Sequence, residues 1–95
     1  MFDCGFTKEN NWFRYRAAAI IVENDCVLLA TNDKVDYYYS VGGGVQMGEK
    51  SEDAVVREVF EETGIKPASW KYRAVVTFVC DLCEGEYMHL FTANT

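Results

Sequence analysis

The alternation of apolar and polar positions in the first half of the chain predicts short strands. Residues 16–22 and 26–30 are apolar runs rich in small and β-branched side chains, and the polar residues 23–25 between them suit a hairpin turn. Residues 37–41 form a third strand candidate. This strand is expected to stop at the three glycines 42–44, because strands disfavour glycine and tight turns favour it.

A single amphipathic helix is predicted over Ser51–Thr63. Glu52 and Asp53 suit a helix N-terminus, and Gly64 stands where a left-handed C-terminal cap is expected. At about 100° per residue, one side of this helix is apolar and is expected to face a sheet. The apolar side consists of Val56, Val59 and Phe60. The other side carries three glutamates, which are Glu58, Glu61 and Glu62.

Two further strands are predicted after the helix, over residues 72–80 and 86–92, with residues 81–85 as the turn between them. Residues 72–80 carry apolar side chains on both faces, which is typical of a strand that is buried on both faces. One helix with a single apolar side covers only one face of a sheet. We therefore expect self-association to shield the other face, and a homodimer is the simplest closed arrangement.

Size and charge narrow the classes of function. Residues 1–95 form one domain, and a net charge of −6 weighs against a nucleic acid polymer as partner, because phosphate backbones are bound by basic surfaces. A small phosphorylated substrate stays compatible if a metal ion supplies positive charge. The longest apolar stretch, residues 17–22, is far shorter than the ~20 residues of a membrane span. With no secretion signal at the N-terminus, a cytoplasmic protein without a membrane partner is predicted.

The four cysteines leave two interpretations open. Cys80 and Cys83 form a CxxC pair, a spacing found in zinc sites and in redox-active thiols. A zinc site of four ligands would also need Cys4 or Cys26, because His89 is the only histidine of the chain. Scattered cysteines without a secretion signal favour reduced thiols. The CxxC pair is therefore expected to be two free thiols at a hairpin.

The three glutamates of the predicted helix concentrate negative charge. At positions i, i+3 and i+4 their Cβ atoms lie ~5–6 Å apart, and either solvent or a divalent cation relieves their repulsion. Taken alone, such a triplet is more often a solvated surface. Carboxylate oxygens favour Mg²⁺ or Mn²⁺ over zinc or copper, and Mg²⁺ is usually held by one or two carboxylates together with substrate phosphates.

The residues around this triplet follow a longer pattern of fixed spacing. It reads glycine, five residues, glutamate, seven residues, then Arg-Glu-apolar-any-Glu-Glu-any-Gly-apolar. The positions that match in this register are Gly43, Glu49, Arg57, Glu58, Val59, Glu61, Glu62, Gly64 and Ile65. The fixed matches arise together by chance at on the order of 10⁻⁷ or less per starting position. The chain resembles the Nudix hydrolases, whose Nudix box has this pattern, here over residues 43–65.

The resemblance implies a fold and a set of roles. The implied fold is of the α+β class, a Nudix α/β/α sandwich with a mixed sheet, in which the second covering helix is expected to be missing here. The implied cofactor is Mg²⁺, with Mn²⁺ as a substitute. The implied metal ligands are Gly43, through its carbonyl, and the carboxylates of Glu58, Glu61 and Glu62. Glu61 is alternatively a carboxylate that orients water. The implied catalytic residues are Glu61, Arg57 and Glu49, with Arg57 expected to pair with Glu49 or Glu61.

The implied function is Mg²⁺-dependent hydrolysis of a pyrophosphate bond in a nucleoside diphosphate-linked compound. Residues 73–79 and 86–93 look like those of MutT-type members, which hydrolyse oxidised purine nucleoside triphosphates. The rival hypothesis is a Nudix-like module that binds metal, nucleotide or a partner chain without turnover. It arises because only thirty residues follow Ile65, so the domain is expected to be incomplete at its C-terminus.

The rest of the substrate is constrained less by the sequence. Aromatic residues stack on nucleobases, although in strands they more often belong to the core. The candidates for stacking are Trp12, Tyr39 and Phe91. Some Nudix hydrolases use a late glutamate as base, for which the candidates here are Glu84 and Glu86.

Overall fold

The computed structural model describes residues 2–9, 11–78 and 85–94, which form a mixed sheet of six strands with one helix on one face. The strands are β1 Gly5–Lys8, β2 Asn11–Glu23, β3 Cys26–Leu28, β4 Val41–Gly44, β5 Ser69–Phe78 and β6 Gly85–Asn94, and the helix α1 is Ser51–Thr63. The α+β class, the mixed sheet and the bounds of the helix are confirmed. Gly64 ends α1 in the left-handed conformation, with φ 74°, as predicted.

Strand β2 is the centre of the sheet. Along one edge it pairs in parallel with β6, from Phe13 opposite Gly85 to Val22 opposite Asn94. Along its other edge it pairs antiparallel with β1, β4 and β3 in turn. Strand β5 pairs antiparallel with the outer edge of β6. The parallel pair in the middle of the sheet makes it mixed.

The predicted hairpin is present between β2 and β3. Its turn residues Asn24 and Asp25 have φ angles of 52° and 62°, the left-handed conformation that a tight hairpin turn requires. The second strand of the hairpin is shorter than predicted, since it ends at Leu28. Strand β1 was not predicted, because its four residues are all exposed and carry no apolar pattern.

The prediction for the third strand is wrong in its position. The strand runs over Val41–Gly44 instead of residues 37–41, and before it only Tyr39 forms an isolated bridge, with Ala30. The glycines belong to the strand because β4 lies very close to β2. A Cβ atom on Gly42 would stand 2.4 Å from the carbonyl oxygen of Ala17. Glycine is therefore used here for close approach of two backbones.

The prediction for the buried side of α1 is also partly wrong. Val59 is fully buried, but Val56 and Phe60 are 43% and 47% exposed, and Ala54 and Val55 are buried in their place. The helix rests on the glycines and alanines of β4 and β2, a flat and close surface that accepts small and medium side chains. The core beneath the helix consists of Ala17, Ala19, Ile21, Val41, Val45, Ala54, Val55, Val59, Phe91 and Ala93.

The face of the sheet opposite α1 has no helix within the described residues. Because side chains alternate along a strand, Ala18 lies on this face, between Ala17 and Ala19 of the core. Self-association through this face stays a prediction. No helix of the described segments is long and apolar enough to cross a bilayer.

The two strands predicted after the helix are both present. The strand predicted over residues 72–80 is β5, which begins earlier, at Ser69, and is described as far as Phe78. The strand predicted over residues 86–92 is β6, which is longer at both ends, from Gly85 to Asn94. Cys80 and Cys83 lie outside the described residues, as does Glu84. Cys26 is an exposed free cysteine, and Cys4 is a half-buried one.

Candidate active site

The loop between β4 and α1 is held by backbone hydrogen bonds to the N-terminal part of the chain. The Val45 amide donates to the carbonyl of Tyr15 over 3.0 Å, and the Cys4 amide donates to the carbonyl of Val45 over 2.7 Å. The Met47 amide donates to the carbonyl of Phe2 over 2.7 Å. Residues 2–4 thus brace the loop that leads into the helix, a contribution for which the sequence offered no signal.

Gly43 lies directly beneath the carboxylate of Glu58. A Cβ atom on Gly43 would stand 2.4 to 2.7 Å from the carboxyl carbon and both oxygens of Glu58. A side chain there would displace this carboxylate, so the glycine lets it rest on the strand backbone. This contact is a physical reason for the fixed spacing between Gly43 and Glu58 in the sequence pattern.

Arg57 joins the loop to the acidic residues of the helix. Its Nε and Nη2 donate to the two carboxylate oxygens of Glu49 over 2.8 and 2.9 Å, a bidentate pair. Its Nη1 donates to Glu58 over 2.9 Å and to Glu61 over 3.2 Å. Its Nη2 also donates to the carbonyl of Gly44 over 3.1 Å. The expected pairing of Arg57 with Glu49 or Glu61 is confirmed for both, and Glu58 is a partner as well.

The pKa values of this pair reflect the bidentate contact. The hydrogen bond from Arg57 lowers the pKa of the Glu49 carboxyl, and its partial burial opposes that shift. The same bond raises the pKa of the Arg57 guanidinium further above its ordinary value. Glu49 also accepts a hydrogen bond from the Gln46 amide over 3.0 Å. Glu49 is thus fully charged at neutral pH and fixes the loop to the middle of the helix through Arg57.

Glu62 has the opposite electrostatic environment. The residue as a whole is exposed, but partial burial of its carboxyl raises the pKa, and the nearby charge of Glu58 raises it further. A hydrogen bond from the Gly42 amide and the charge of Arg16 act in the other direction without cancelling the shift. The two carboxylates of Glu58 and Glu62 are therefore held close enough to repel each other at the edge of β4. Positive charge between them would remove this penalty.

The donor atoms at this edge fit a hard divalent cation, since they are carboxylate and backbone oxygens. Within residues 2–9, 11–78 and 85–94, however, no three acidic, histidine or cysteine side chains converge as a ready-made ligand set. Arg57 occupies one oxygen of Glu58, and Glu61 points to the same guanidinium with a side chain that is 56% exposed. The two carboxylates that fit the cation best are thus Glu58 and Glu62.

The three residues predicted to stack on a base lie in different places. Trp12 is 44% exposed and lines a cleft between β1 and β2, where the guanidinium of Arg14 lies 4.7 Å from its ring. Tyr39 is half-buried, and its hydroxyl accepts a hydrogen bond from Asn32. For Phe91 the prediction is wrong, because its ring is only 4% exposed and belongs to the core. A ring packed in the core has no free face for a ligand.

One group of polar aromatic residues was not predicted. His89 lies between two tyrosines, with the Tyr15 hydroxyl 2.6 Å from Nε2 and the Tyr72 hydroxyl 2.9 Å from Nδ1. No local sequence pattern joins these residues, because 74 positions separate Tyr15 from His89. Only the parallel pairing of β2 with β6 brings them together.

Similarity to known proteins agrees with this arrangement. A model of the NUDIX domain matches residues 12–95. The NAD-capped RNA hydrolase NudC of Photorhabdus laumondii is 35% identical, over 77% of this chain and 34% of its own length. The protein of the same name from Actinobacillus succinogenes is 37% identical, over 75% of this chain and 31% of its own length. The chain therefore spans about a third of the length of these relatives.

Solved structures give the same result. A MutT NUDIX hydrolase from Burkholderia pseudomallei has a TM-score of 0.77 and 26% identity, over 87% of this chain and 67% of its own. The E. coli ORF135 protein has a TM-score of 0.69 and 27% identity, over 85% of this chain and 60% of its own. The family model covers most of the chain, and three glutamates of the box, Glu49, Glu58 and Glu61, meet at Arg57. The chain belongs to the Nudix family.

Proposed function

We propose that the chain hydrolyses a pyrophosphate bond in a nucleotide, with Mg²⁺ as the cofactor and Mn²⁺ as a substitute. The observation that carries the proposal is the Arg57 network, which gathers Glu49, Glu58 and Glu61 beside the glycines of β4. An ordinary surface ion pair would not need five donor contacts from one guanidinium. Such a network instead orients carboxylates for a task at their free oxygens.

Glu58 and Glu62 are the proposed metal ligands, with the carbonyl of Gly43 as a backbone ligand. Support comes from the raised pKa of Glu62, which burial and the charge of Glu58 cause. Two carboxylates suffice, because Mg²⁺ usually takes its remaining ligands from water and substrate phosphates. When bound, the cation neutralises phosphate charge and lowers the pKa of a water molecule.

The other box residues are proposed to position these groups. Arg57 holds Glu58 in place over Gly43, and Glu49 holds Arg57 by its bidentate pair. Glu61 is the most exposed of the three carboxylates that bind Arg57. It is therefore proposed to orient the attacking water and to accept its proton, or to serve as a further metal ligand.

The proposed substrate is a nucleoside triphosphate, in either its ordinary or its oxidised form. A second candidate is a dinucleotide whose pyrophosphate joins two nucleosides, and the two NudC relatives at 35% and 37% identity favour it. The net charge of −6 gives little attraction for a long RNA chain, so the pyrophosphate-linked end of such a molecule is the part that fits. The third alternative is a module that binds nucleotide without turnover.

Hydrolysis of a defined panel tests these alternatives. The panel contains ATP, dGTP, 8-oxo-dGTP and NAD⁺, each with Mg²⁺, with Mn²⁺ and with excess EDTA, and products are separated by chromatography. We expect cleavage only with metal, favoured at neutral to alkaline pH because the ligands must be ionised and a water molecule must lose a proton. Pyrophosphate and a monophosphate identify a triphosphate substrate, and two monophosphates identify a dinucleotide. Binding without any product supports the module, and activity in EDTA contradicts the mechanism.

Oligomeric state is a separate proposal. The sheet face opposite α1 is proposed to pair with the same face of a second copy, as a homodimer. Sedimentation velocity at micromolar concentration measures this directly. A stable monomer under those conditions rules the homodimer out.

A further inference from the structure

Helix α1 covers only part of its face of the sheet. It packs on β4 and β2, whereas the half of the same face formed by β6 and β5 stays open. Three large side chains on this open half are about half exposed: Tyr72 at 48%, Val75 at 50% and Tyr87 at 50%. We call these three residues, together with His89 beneath them, the aromatic shelf.

The pairing register fixes the position of the shelf relative to the acidic residues. Gly43 pairs with Ala17, and Ala17 pairs with His89 across the next strand. Neighbouring strands lie about 4.8 Å apart, so His89 is roughly 10 Å from Gly43 along one row of the sheet. Glu58 lies directly above Gly43 on that row. A nucleoside whose phosphates lie at Glu58 extends over a distance of this size.

Tyr72 is held in a fixed orientation on the shelf. Its ring packs edge-on against buried Phe91, with centroids 5.1 Å apart, and its hydroxyl lies 2.9 Å from Nδ1 of His89. The Tyr15 hydroxyl lies 2.6 Å from the other ring nitrogen of His89. Packing and hydrogen bonding together restrict rotation of Tyr72, while nearly half of its surface stays open. A rigid, half-exposed ring loses little conformational entropy when a planar ligand stacks on it.

The imidazole links the hydroxyls of Tyr15 and Tyr72. Neutral histidine has one N–H and one lone pair, so one tyrosine donates to the ring and the other accepts from it. The accepting tyrosine keeps its own O–H for another partner. The shelf therefore combines an apolar stacking surface with polar groups of Tyr72 and His89, which suits a nucleobase with its attached sugar.

We propose that Tyr72, fixed by Phe91 and His89, is the stacking platform for the nucleobase of the substrate. The proposal rests on the proposed function, because it takes the phosphates of the nucleotide to lie at Glu58 and Glu62. The ring of Phe91, the stacking candidate from the sequence, is buried, and Tyr72 is the exposed ring that packs against it.

Equilibrium binding in the presence of Mg²⁺ tests the platform independently of turnover, because none of the probes contains a pyrophosphate bond. The probes are AMP and GMP, with ribose 5-phosphate as a probe that has the phosphate and sugar but no base. We expect Tyr72→Ala to weaken AMP and GMP by roughly 5- to 150-fold, the effect of losing one base-stacking ring. Ribose 5-phosphate should bind equally to both proteins, and Tyr72→Phe should keep nucleotide binding within about threefold.

A matched control is Tyr38→Ala, since Tyr38 is 71% exposed and lies before β4, away from the shelf. Its nucleotide binding should not change. Tyr72→Leu is a second variant that fills the space against Phe91 without an aromatic ring, and it should weaken nucleotides as Tyr72→Ala does. Thermal melting of each variant excludes unfolding as the cause.

Three outcomes overturn the platform. They are a wild-type chain that binds AMP no better than ribose 5-phosphate, a Tyr72→Ala variant that keeps full affinity, and a Tyr38→Ala variant that loses it. Failure of hydrolysis is distinguishable, because the binding probes have no pyrophosphate bond to cleave. In an active protein, Tyr72→Ala should raise KM much more than it lowers kcat.

Discussion

Two regions on the same face of the sheet are built in different ways. The contacts of Arg57 reach residues between 1 and 13 positions away in the sequence. In the aromatic shelf, His89 contacts Tyr72 across 17 positions and Tyr15 across 74. The first region is a local assembly on one loop and one helix, and the second exists only where three strands pair. Local spacing can therefore be recognised in a sequence, whereas cross-strand contacts depend on register.

The two regions also differ in their electrostatics. Around Arg57, four charged side chains form a network with a shifted pKa at Glu49 and at Arg57 itself. On the shelf, aromatic rings and one imidazole dominate. Substitutions in the first region are expected to change the chemical step, and substitutions in the second are expected to change nucleotide affinity.

The largest effect is expected from the proposed metal ligands. Glu58→Gln or Glu62→Gln should lower metal-dependent hydrolysis by at least about a hundredfold, because even indirect partners of a metal site are worth 10–100-fold. The fold should persist, since each change reduces repulsion between neighbouring carboxylates. The measurement is kcat with Mg²⁺, together with the circular dichroism spectrum. Glu52→Gln, in the exposed first turn of α1, is the matched control. Wild-type turnover in either variant would contradict the assignment.

Arg57→Lys tests whether the geometry of the guanidinium matters beyond its charge. Lysine cannot reproduce the bidentate contact with Glu49 while also reaching Glu58. Activity and metal affinity are each expected to fall by about 10- to 100-fold. Arg73→Lys is the matched control, because Arg73 lies on β5 and donates to Thr92, away from the acidic residues. If Arg57→Lys keeps full activity, the network has only a structural role.

Two adjacent glycines separate activity from stability. Gly43→Ala places a methyl group against the flexible carboxylate of Glu58, which can move, so activity should fall while stability changes little. Gly42→Ala places the methyl group 2.4 Å from the backbone oxygen of Ala17, which cannot move easily. Overpacking of this kind costs about 1–3 kcal/mol. Urea denaturation should show the larger loss of stability for Gly42→Ala, and kcat should show the larger loss of activity for Gly43→Ala.

The smallest effects are expected in stability as a function of pH, measured in EDTA. The raised pKa of Glu62 gives stability that is present below its ordinary value of 4.5 and is lost as pH rises through the folded value. The free energy of unfolding of Glu62→Gln should therefore rise above that of the wild type as the pH approaches neutral, by no more than about 0.5 kcal/mol.

Glu49 is the counterpart with the opposite sign. Its lowered pKa gives stability that is present above the ordinary value of 4.5 and is lost as pH falls through the folded value. Glu49→Gln should therefore be less stable than the wild type at neutral pH, with the difference disappearing in acid. Thermal melting across this pH range checks both variants, and a shared sign for the two would contradict the electrostatic account.

The local parts of the molecule were determined by the sequence itself. The helix bounds follow from acidic residues in the first turn and from Gly64 as a cap, and both depend on neighbouring backbone groups alone. The hairpin turn at Asn24 and Asp25 is local in the same sense. The pairing of Arg57 with Glu61 is local in the same way, because side chains at i and i+4 of a helix are neighbours, whereas the pairing with Glu49 was expected from the resemblance to the Nudix box.

Tertiary structure alone decided which surfaces those elements present. Val56 and Phe60 are exposed because the helix tilts a neighbouring row, Val55 and Val59, onto the sheet. The glycines of β4 form a strand because β2 approaches too closely for a side chain at Gly42. Phe91 is buried and Tyr72 exposed because of where β5 and β6 lie relative to α1. Burial is set by the packing of whole elements, and residue patterns within one element do not contain that information.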